Sequence, residues 1–162
     1  MKVKLYTDGA AKGNPNGPGG YGAILQYVDA KGTLHEKELS KGFKKTTNNR
    51  MELLAVIKGL EKIKFPCEVE VFSDSAYIIN AFNEGWVDDW IDNDFRIGKK
   101  DEVKNIDLWI KLIDLTLIHE ITWTKVKGHS GNELNERCDK LATSAASGNN
   151  LEDDIVENIS QI

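Results

Sequence analysis

Four carboxylates stand where side chains from different parts of the chain could converge. Asp8 follows an alternating segment at residues 2–7, Asp74 follows a second apolar segment, and Glu52 and Asp139 fall in segments with helical periodicity. Carboxylates gathered without adjacent basic side chains repel one another, and a divalent cation relieves that repulsion. Oxygen ligands favour Mg²⁺ or Mn²⁺, and without a His or Cys cluster zinc is disfavoured. The pattern predicts a magnesium site, with manganese as the alternative metal.

Each carboxylate also has an ordinary structural explanation. Glu52 follows Asn49 by three residues, which is the spacing of a helix capping box. It also falls near the start of a helix, where the helix dipole favours a negative charge. The other carboxylates could cap helices or form ion pairs with Arg50 or Arg137. For Glu52, only convergence of other carboxylates on the same point would favour the metal site over these alternatives.

One histidine is placed to assist such a centre. His129 lies on a glycine-flanked loop just before the segment that carries Asp139. A lone histidine is usually structural, but an exposed one beside a metal cluster is a candidate proton carrier.

The periodicity of the chain predicts the elements that would position these residues. Strands are predicted at residues 2–7, 21–28, 33–43, 68–73 and 121–126, and helices at 75–83, 105–118 and 133–146. A further helix is predicted to start within residues 46–53, with Glu52 in its first turn, and to end near residue 64. The glycine-rich stretch at residues 10–20 is predicted to be a loop, since no helix follows it as a dinucleotide fingerprint requires. This order predicts one α/β domain with a five-stranded mixed sheet flanked by helices. If the strands before Asp8 and Asp74 are parallel neighbours, the two carboxylates meet at one sheet edge.

Composition limits the class of protein more than it identifies the function. The 162 residues are 40% hydrophobic and 29% charged, which is typical of a globular domain with one core. No apolar run approaches the roughly 20 residues that cross a membrane, and the first residues do not resemble a secretion signal. Cys67 and Cys138 do not form a C-x-x-C pair, so we expect reduced core thiols and a cytoplasmic protein.

The net charge of −5 argues by itself against nucleic-acid binding. Four of the acidic residues lie in the last fifteen positions, however, and without them the net charge is −1. The total charge therefore says little about any one face of the molecule.

Together, the motifs resemble type 1 ribonuclease H of bacteria, the ribonuclease HI family. The similarity runs in order from about residue 2 to residue 147 and rests on Thr7-Asp8-Gly9, Gly13-Asn14-Pro15, Gly19-Gly20-Tyr21-Gly22, Thr47-Asn48-Asn49-Arg50-Met51-Glu52, Ser73-Asp74-Ser75, Lys104-Asn105-x-Asp107-Leu108-Trp109, Lys127-Gly128-His129-Ser130-Gly131 and Asn135-Glu136-Arg137-Cys138-Asp139. It implies a ribonuclease H-like fold and a ribonuclease H domain at residues 1–147, followed by an acidic tail at 148–162. We expect the protein to be a monomer.

The resemblance also implies an activity and residue roles. The expected reaction is two-metal endonucleolytic hydrolysis of the RNA strand of an RNA–DNA hybrid, leaving 5′-phosphate and 3′-OH ends. Catalysis and metal binding fall to Asp8, Glu52, Asp74 and Asp139, with His129 aiding proton transfer or product release. Contacts with the minor groove of the hybrid fall to Asn14, Asn48 and Asn49, contacts with a DNA-strand phosphate to Lys45, Thr47 and Asn105, and the lining of the DNA channel to Trp86. We expect Glu52 to point at Asp8 and Asp74, because a metal ligand cannot also close a capping box.

Two alternatives remain beside this assignment. The chain could be a catalytically weak or silent hybrid-binding module, although all four carboxylates and His129 are present. Another nuclease or an integrase on the same fold fits Asn48, Asn49 and His129 less well.

Two segments depart from the family pattern. Residues 87–102 contain six acidic side chains where close relatives have a basic handle, and Phe95 replaces a frequent Trp. We expect weaker attraction for phosphate and a shallower salt dependence than in a relative with a basic handle. In the tail, Ile155, Ile159 and Ile162 have helical spacing, so the tail is either a frayed terminus or a docked segment.

Overall fold

The computed structural model describes residues 1–13, 16–97, 101–127 and 132–156. Within these ranges the strands are β1 (Lys2–Ala11), β2 (Gly17–Val28), β3 (Leu34–Thr46), β4 (Glu68–Ser73), β5 (Arg96–Ile97), β6 (Asp101–Glu102), β7 (Glu120–Lys125) and β8 (Leu151–Glu152). The helices are α1 (Asn48–Glu61), α2 (Ala76–Asn83), α3 (Trp86–Asp92), α4 (Ile106–Thr116) and α5 (Glu133–Ala146). None of the described helices is long and apolar enough to cross a membrane.

The main sheet is mixed and has the order β7-β4-β1-β2-β3-β8. Strands β1, β2 and β3 form the predicted antiparallel meander, whereas β4 runs parallel to β1 and β7 runs parallel to β4. The parallel ladder between β1 and β4 ends at the pair Tyr6 and Phe72, two residues before Asp8 and Asp74. The carboxyl ends of these neighbouring strands therefore deliver both carboxylates to one sheet edge, as predicted.

The predicted loop at residues 10–20 is largely strand, and that prediction was wrong. β1 continues to Ala11 and β2 begins at Gly17, so the ladder reaches the pair Ala11 and Gly19. The glycines here serve close packing: a Cβ on Gly20 would lie 2.5 Å from the carbonyl oxygen of Ala142 in α5. Turn propensities cannot predict such a contact between a strand and a helix that is distant in the sequence.

The core lies between the sheet and helices α1 and α4. Helix α1 is buried over most of its length, including Met51, Leu53 and Leu60, and it packs on α4, whose Trp109 is fully buried. Its C-terminus lies at Glu61, three residues before the predicted end. Cys67 and Cys138 are free and buried, which confirms the prediction of core thiols.

The sheet has a sixth strand that the sequence did not predict. β8 comes from the C-terminal tail and pairs in parallel with β3, joining Leu151 to Gly42 and Glu152 to Phe43. The tail thus docks on the body through this strand, while Ile155 is exposed. Ile159 and Ile162 lie outside the described residues, and the domain boundary at residue 147 stays a prediction.

Candidate active site

Three of the four predicted carboxylates meet at the edge of the sheet. Asp8, Glu52 and Asp74 each offer a carboxylate oxygen, and these oxygens lie within 4.8 Å of one another. The three residues line a surface groove, which we call the carboxylate groove. Asp139 also lines this groove, and its charge raises the pKa of Asp8, but Asp139 is not part of the tight cluster. The convergence expected from the sequence is therefore present, with Asp139 more peripheral than the other three.

The start of α1 explains why Glu52 points into the cluster. Thr47 is the N-cap, and its hydroxyl accepts a hydrogen bond from the backbone N–H of Arg50 at 3.2 Å. Glu52 is the fifth residue of α1, beyond the first turn, so the capping-box explanation and the dipole argument for Glu52 were wrong. A Cβ on Gly9 would clash with the backbone nitrogen of Glu52, and glycine at that position lets β1 approach the helix.

Burial and mutual repulsion raise the pKa values of two carboxyl groups in the cluster. Burial and the charge of Asp74 raise the pKa of Asp8 to about 7, against a hydrogen bond from the Gly9 N–H at 2.9 Å. Glu52 is 8% exposed, and burial with the charges of Asp8 and Asp74 holds its pKa well above the usual value. The two raised pKa values have the same origin, because both carboxyl groups are buried and both face the charge of Asp74.

The cluster has the features of a divalent-cation site. The second carboxylate oxygen of Glu52, Oε2, is buried and has no hydrogen-bond partner among the described residues. A buried acceptor without a donor is costly, and a cation would satisfy it and reduce the carboxylate repulsion. Because the ligand atoms are all oxygens, the site fits a hard cation such as Mg²⁺ or Mn²⁺.

The arginines that could have neutralised these carboxylates are engaged elsewhere. Arg50 forms ion pairs with Asp107 at 2.8 Å and with Asp154 at 2.7 Å. Arg137 lies 2.6 Å from Glu36 and also pairs with Glu38. The alternative in which Arg50 or Arg137 pairs with the site carboxylates was wrong, because other acidic side chains claim both guanidinium groups.

The predicted substrate contacts surround the groove to different degrees. Asn48 and Asn49 are exposed and line the groove beside the carboxylates, and the Oδ1 of Asn48 accepts a hydrogen bond from the Ala11 N–H at 2.6 Å. Lys45 is exposed near the end of β3, and Trp86 opens α3 with 42% of its surface exposed.

Two further predicted residues lie at helix N-termini, and two others cannot be placed. Thr47 caps α1, and Asn105 is the N-cap residue of α4. Asn14 and His129 lie outside the described residues.

Sequence reasoning missed one residue of the groove and one buried ion pair. Tyr77 lines the groove from the first turn of α2, where its spacing in the chain indicated only an ordinary helix. Asp107 was part of a recognised motif, yet its buried pairing with Arg50 across 57 positions left no signal in the local pattern.

Similarity to other proteins agrees with the geometry of the site. The RNase H family model matches residues 1–147. The chain is 57% identical over 156 residues to the ribonuclease H of Lachnoclostridium phytofermentans, covering 96% of this chain and 99% of that one. It is 56% identical over 142 residues to the ribonuclease H of Acetivibrio thermocellus, covering 88% and 92%.

Solved structures share the fold. The crystal structure of LC9-RNase H1, described as a type 1 RNase H with the type 2 active-site motif, has a TM-score of 0.81 at 30% identity and covers 91% of this chain and 72% of that one. The foamy viral protease-reverse transcriptase in complex with an RNA/DNA hybrid has a TM-score of 0.72 at 25% identity, covering 89% of this chain and 20% of that one.

Proposed function

The chain belongs to the RNase H family, and from that premise we propose that Asp8, Glu52, Asp74 and Asp139 form its catalytic metal centre. The protein is an endonuclease that hydrolyses the RNA strand of RNA–DNA hybrids and depends on divalent metal. The observation that best supports the residue assignment is the cluster of carboxylate oxygens within 4.8 Å, with one buried oxygen of Glu52 left without a donor.

The carboxylates would hold Mg²⁺, with Mn²⁺ as the alternative. Bound divalent cations would supply an activated water and neutralise charge on the attacking and leaving oxygens of the phosphodiester. For this, Asp8 and Glu52, whose pKa values are raised, must be ionised, whereas Asp74 is the more exposed ligand. His129 would aid proton transfer or product release. The ends formed would be a 5′-phosphate and a 3′-OH.

The residues beside the carboxylates would recognise the hybrid. The Oδ1 of Asn48 accepts a hydrogen bond from the Ala11 N–H, so the amide N–H groups of Asn48 would donate to the hybrid in its minor groove. Asn49 and Asn14 would contact the same groove, where the 2′-OH distinguishes RNA from DNA. The remaining proposed contacts are Lys45, Thr47 and Asn105 with a DNA-strand phosphate, and Trp86 with the DNA channel.

The decisive assay incubates the protein and Mg²⁺ with an end-labelled RNA–DNA hybrid, beside duplex RNA and duplex DNA. We expect cleavage of the RNA strand of the hybrid alone, and none after chelation of the metal with EDTA. Asp8→Asn should lower kcat by at least about 1,000-fold, because a ligand charge is lost where the reaction needs it.

The matched control for this assay is Asp153→Asn, which neutralises an exposed acid outside the groove and should leave cleavage unchanged. Binding of the hybrid by the intact protein without any cleavage would instead support the silent binding module. Full activity of Asp8→Asn would contradict the metal-centre assignment.

The oligomeric state and the compartment stay predictions. All four carboxylates come from one chain, which supports action as a monomer. The two free, buried cysteines support a reducing compartment such as the cytoplasm.

A further inference from the structure

Asn105 gives up the usual role of an asparagine at the start of a helix. It is the N-cap residue of α4, yet its side chain makes no capping hydrogen bond among the described residues. Its backbone has φ 60 and ψ 32, in the left-handed region, which asparagine adopts more readily than most residues other than glycine. An N-cap side chain contributes about 1 kcal/mol to a helix. The chain forgoes this stabilisation, which indicates that the Asn105 side chain is needed elsewhere.

The Asn105 carboxamide is held from two sides. Its Oδ1 accepts a hydrogen bond from Nη1 of Arg50 at 3.4 Å, and its Nδ2 donates to the hydroxyl of Tyr77 at 3.2 Å. Since a guanidinium can only donate, the oxygen of the amide must face Arg50. The two neighbours therefore fix which way the amide points. The second N–H of Nδ2 has no partner among the described residues and could donate to a ligand.

Tyr77 is itself firmly anchored. Its hydroxyl also accepts from Nε1 of Trp109 at 2.9 Å and donates to the carbonyl of Lys104 at 3.5 Å, so its one donor and two acceptor sites are all used. Its ring packs against that of Trp109, a fully buried residue, with centroids 5.4 Å apart. Tyr77 also lines the carboxylate groove, so it physically connects the groove to Asn105.

Arg50 is anchored by the tail of the chain. We call residues 151–154 the C-terminal strap; it begins with β8 and ends at Asp154, whose side chain is 5% exposed. Asp154 accepts hydrogen bonds from Nε of Arg50 at 2.7 Å, from Nη2 of Arg50 at 3.1 Å and from the hydroxyl of Thr46 at 2.7 Å. Asp107 grips the same guanidinium with both carboxylate oxygens, at 2.8 and 2.9 Å. A guanidinium held by two carboxylates has almost no rotamer freedom left.

We propose that Tyr77 and Asp154 are positioning residues that hold the Asn105 carboxamide for contact with a phosphate of the DNA strand, Tyr77 directly and Asp154 through Arg50. The inference rests on the proposed function, which gives Asn105 that contact. It also gives Asp154, which lies beyond the residues that the family model matches, an indirect part in hybrid binding. Pre-organising a contact saves the entropy of ordering it when substrate binds, so the gain appears in substrate binding.

The test is a double-mutant cycle between Tyr77→Phe and Asn105→Ala, measured by steady-state cleavage of an RNA–DNA hybrid with Mg²⁺. Tyr77→Phe keeps the ring and its packing and removes only the hydroxyl. It should raise KM about fivefold and leave kcat within about twofold, as expected for lost ground-state binding. In the Asn105→Ala background the same substitution should change KM by less than about 1.5-fold, because the group it positions is gone.

The second arm replaces Asp154 with Asn and uses Asp153→Asn as its matched control. Both changes remove one charge from the strap, but Asp153 is exposed and lies 3.8 Å from Lys44, away from Arg50. Asp154→Asn should raise KM about threefold with kcat unchanged, and this increase should also vanish in the Asn105→Ala background. Asp153→Asn should match the parent protein. Assays at 25 °C, with thermal unfolding of each variant recorded, keep a loss of folded protein apart from a change in KM.

The outcomes separate this inference from the function on which it rests. If Asn105→Ala leaves KM unchanged, the phosphate contact proposed for Asn105 is wrong. If Asn105→Ala raises KM but Tyr77→Phe and Asp154→Asn do not, the contact stands and the positioning roles are wrong. An increase in KM that persists in the Asn105→Ala background, or a loss confined to kcat, also overturns the positioning roles.

Discussion

One pair of residues, Asp8 and Glu52, destabilises the metal-free fold and should favour metal binding. Both side chains are almost fully buried, the pKa of each is raised, and one oxygen of Glu52 has no hydrogen-bond donor among the described residues. Without a cation this arrangement lowers stability, because two carboxylates are kept where water cannot solvate them. The residues that should bind metal most tightly are thus the ones that the metal-free fold tolerates least.

We therefore predict that the metal-free protein loses stability as the pH rises from about 4 through about 7. The pKa of Asp8 in the folded protein is about 7, and that of Glu52 is also raised, so the folded state holds more protons than the unfolded state across this window. The free energy of unfolding then falls with rising pH. In EDTA at pH 8, Asp8→Asn should be more stable than the parent by on the order of 2 kcal/mol, measured by urea denaturation.

Two controls accompany this pH prediction. The advantage of Asp8→Asn should shrink towards zero near pH 4, where the parent carboxyl groups are protonated. Saturating Mg²⁺ should stabilise the parent more than the variant. Greater stability of the parent than of Asp8→Asn in EDTA at pH 8 would show that the pair is not strained.

At the scale of elements, the approach of α5 to the sheet positions Asp139. Glycines of β2 and β3 face this helix, and a Cβ on Gly22 would collide with the carbonyl oxygen of Cys138, the residue before Asp139. The sheet side chains that would hold the helix away are missing, so α5 sits directly on the backbone of β2. The distance of Asp139 from the other carboxylates is therefore set by glycines far from it in sequence.

We predict that Gly22→Ala destabilises the protein by about 2–4 kcal/mol, since the added methyl group must push on backbone atoms that cannot move aside. Gly148→Ala is the matched control: its Cβ would meet no described atom closer than 3.4 Å, and its effect should be within about 0.5 kcal/mol. Chemical denaturation measures both. Where Gly22→Ala remains folded, its kcat should fall more than its KM rises, because Asp139 moves with α5. Equal stability of the two variants would refute the packing explanation.

For the molecule as a whole, the distribution of charge opposes the substrate in one region. Helix α3 carries the exposed acids Asp88, Asp89 and Asp92 directly after Trp86, which is the residue proposed to line the DNA channel. A DNA strand that passes Trp86 would come close to these charges. The net charge of −5 adds to this repulsion, and salt screens it over about 10 Å at 0.1 M.

Neutralising this region should strengthen binding of the hybrid at low salt. We predict that the triple variant Asp88→Asn, Asp89→Asn, Asp92→Asn lowers KM about threefold at 50 mM salt and less than about 1.5-fold at 300 mM, as screening removes the repulsion. The value of kcat should not change, because these residues lie outside the carboxylate groove. The triple variant Glu61→Gln, Glu68→Gln, Glu120→Gln serves as a control that removes the same number of charges from other elements. An equal gain from both variants would point to net charge rather than to the position of α3.

The sequence by itself determined the chemistry and most of the regular elements. Asp8 after the first predicted strand and Asp74 after the fourth indicated a cation site. This could be predicted because strand periodicity is a local signal and the rule for parallel strands is general. The set of motifs in order along the chain identified the family, and helices α1, α2, α4 and α5 were placed to within a few residues, whereas α3 was not predicted as a defined helix. These features depend on residue type and short spacing, which the linear chain records.

Only the tertiary structure decided what depends on contacts between distant residues. β8 has two residues, too few for a periodic signal, and it exists because β3 offers an open edge to the tail. The glycine-rich sequence before Tyr21 is typical of a loop, and only the folded structure shows that Gly20 packs against α5. Asp154 lies 104 positions from Arg50, and no local pattern could pair them. The reason is physical in each case: the free energy comes from burial and hydrogen bonding between surfaces that only the folded chain brings together.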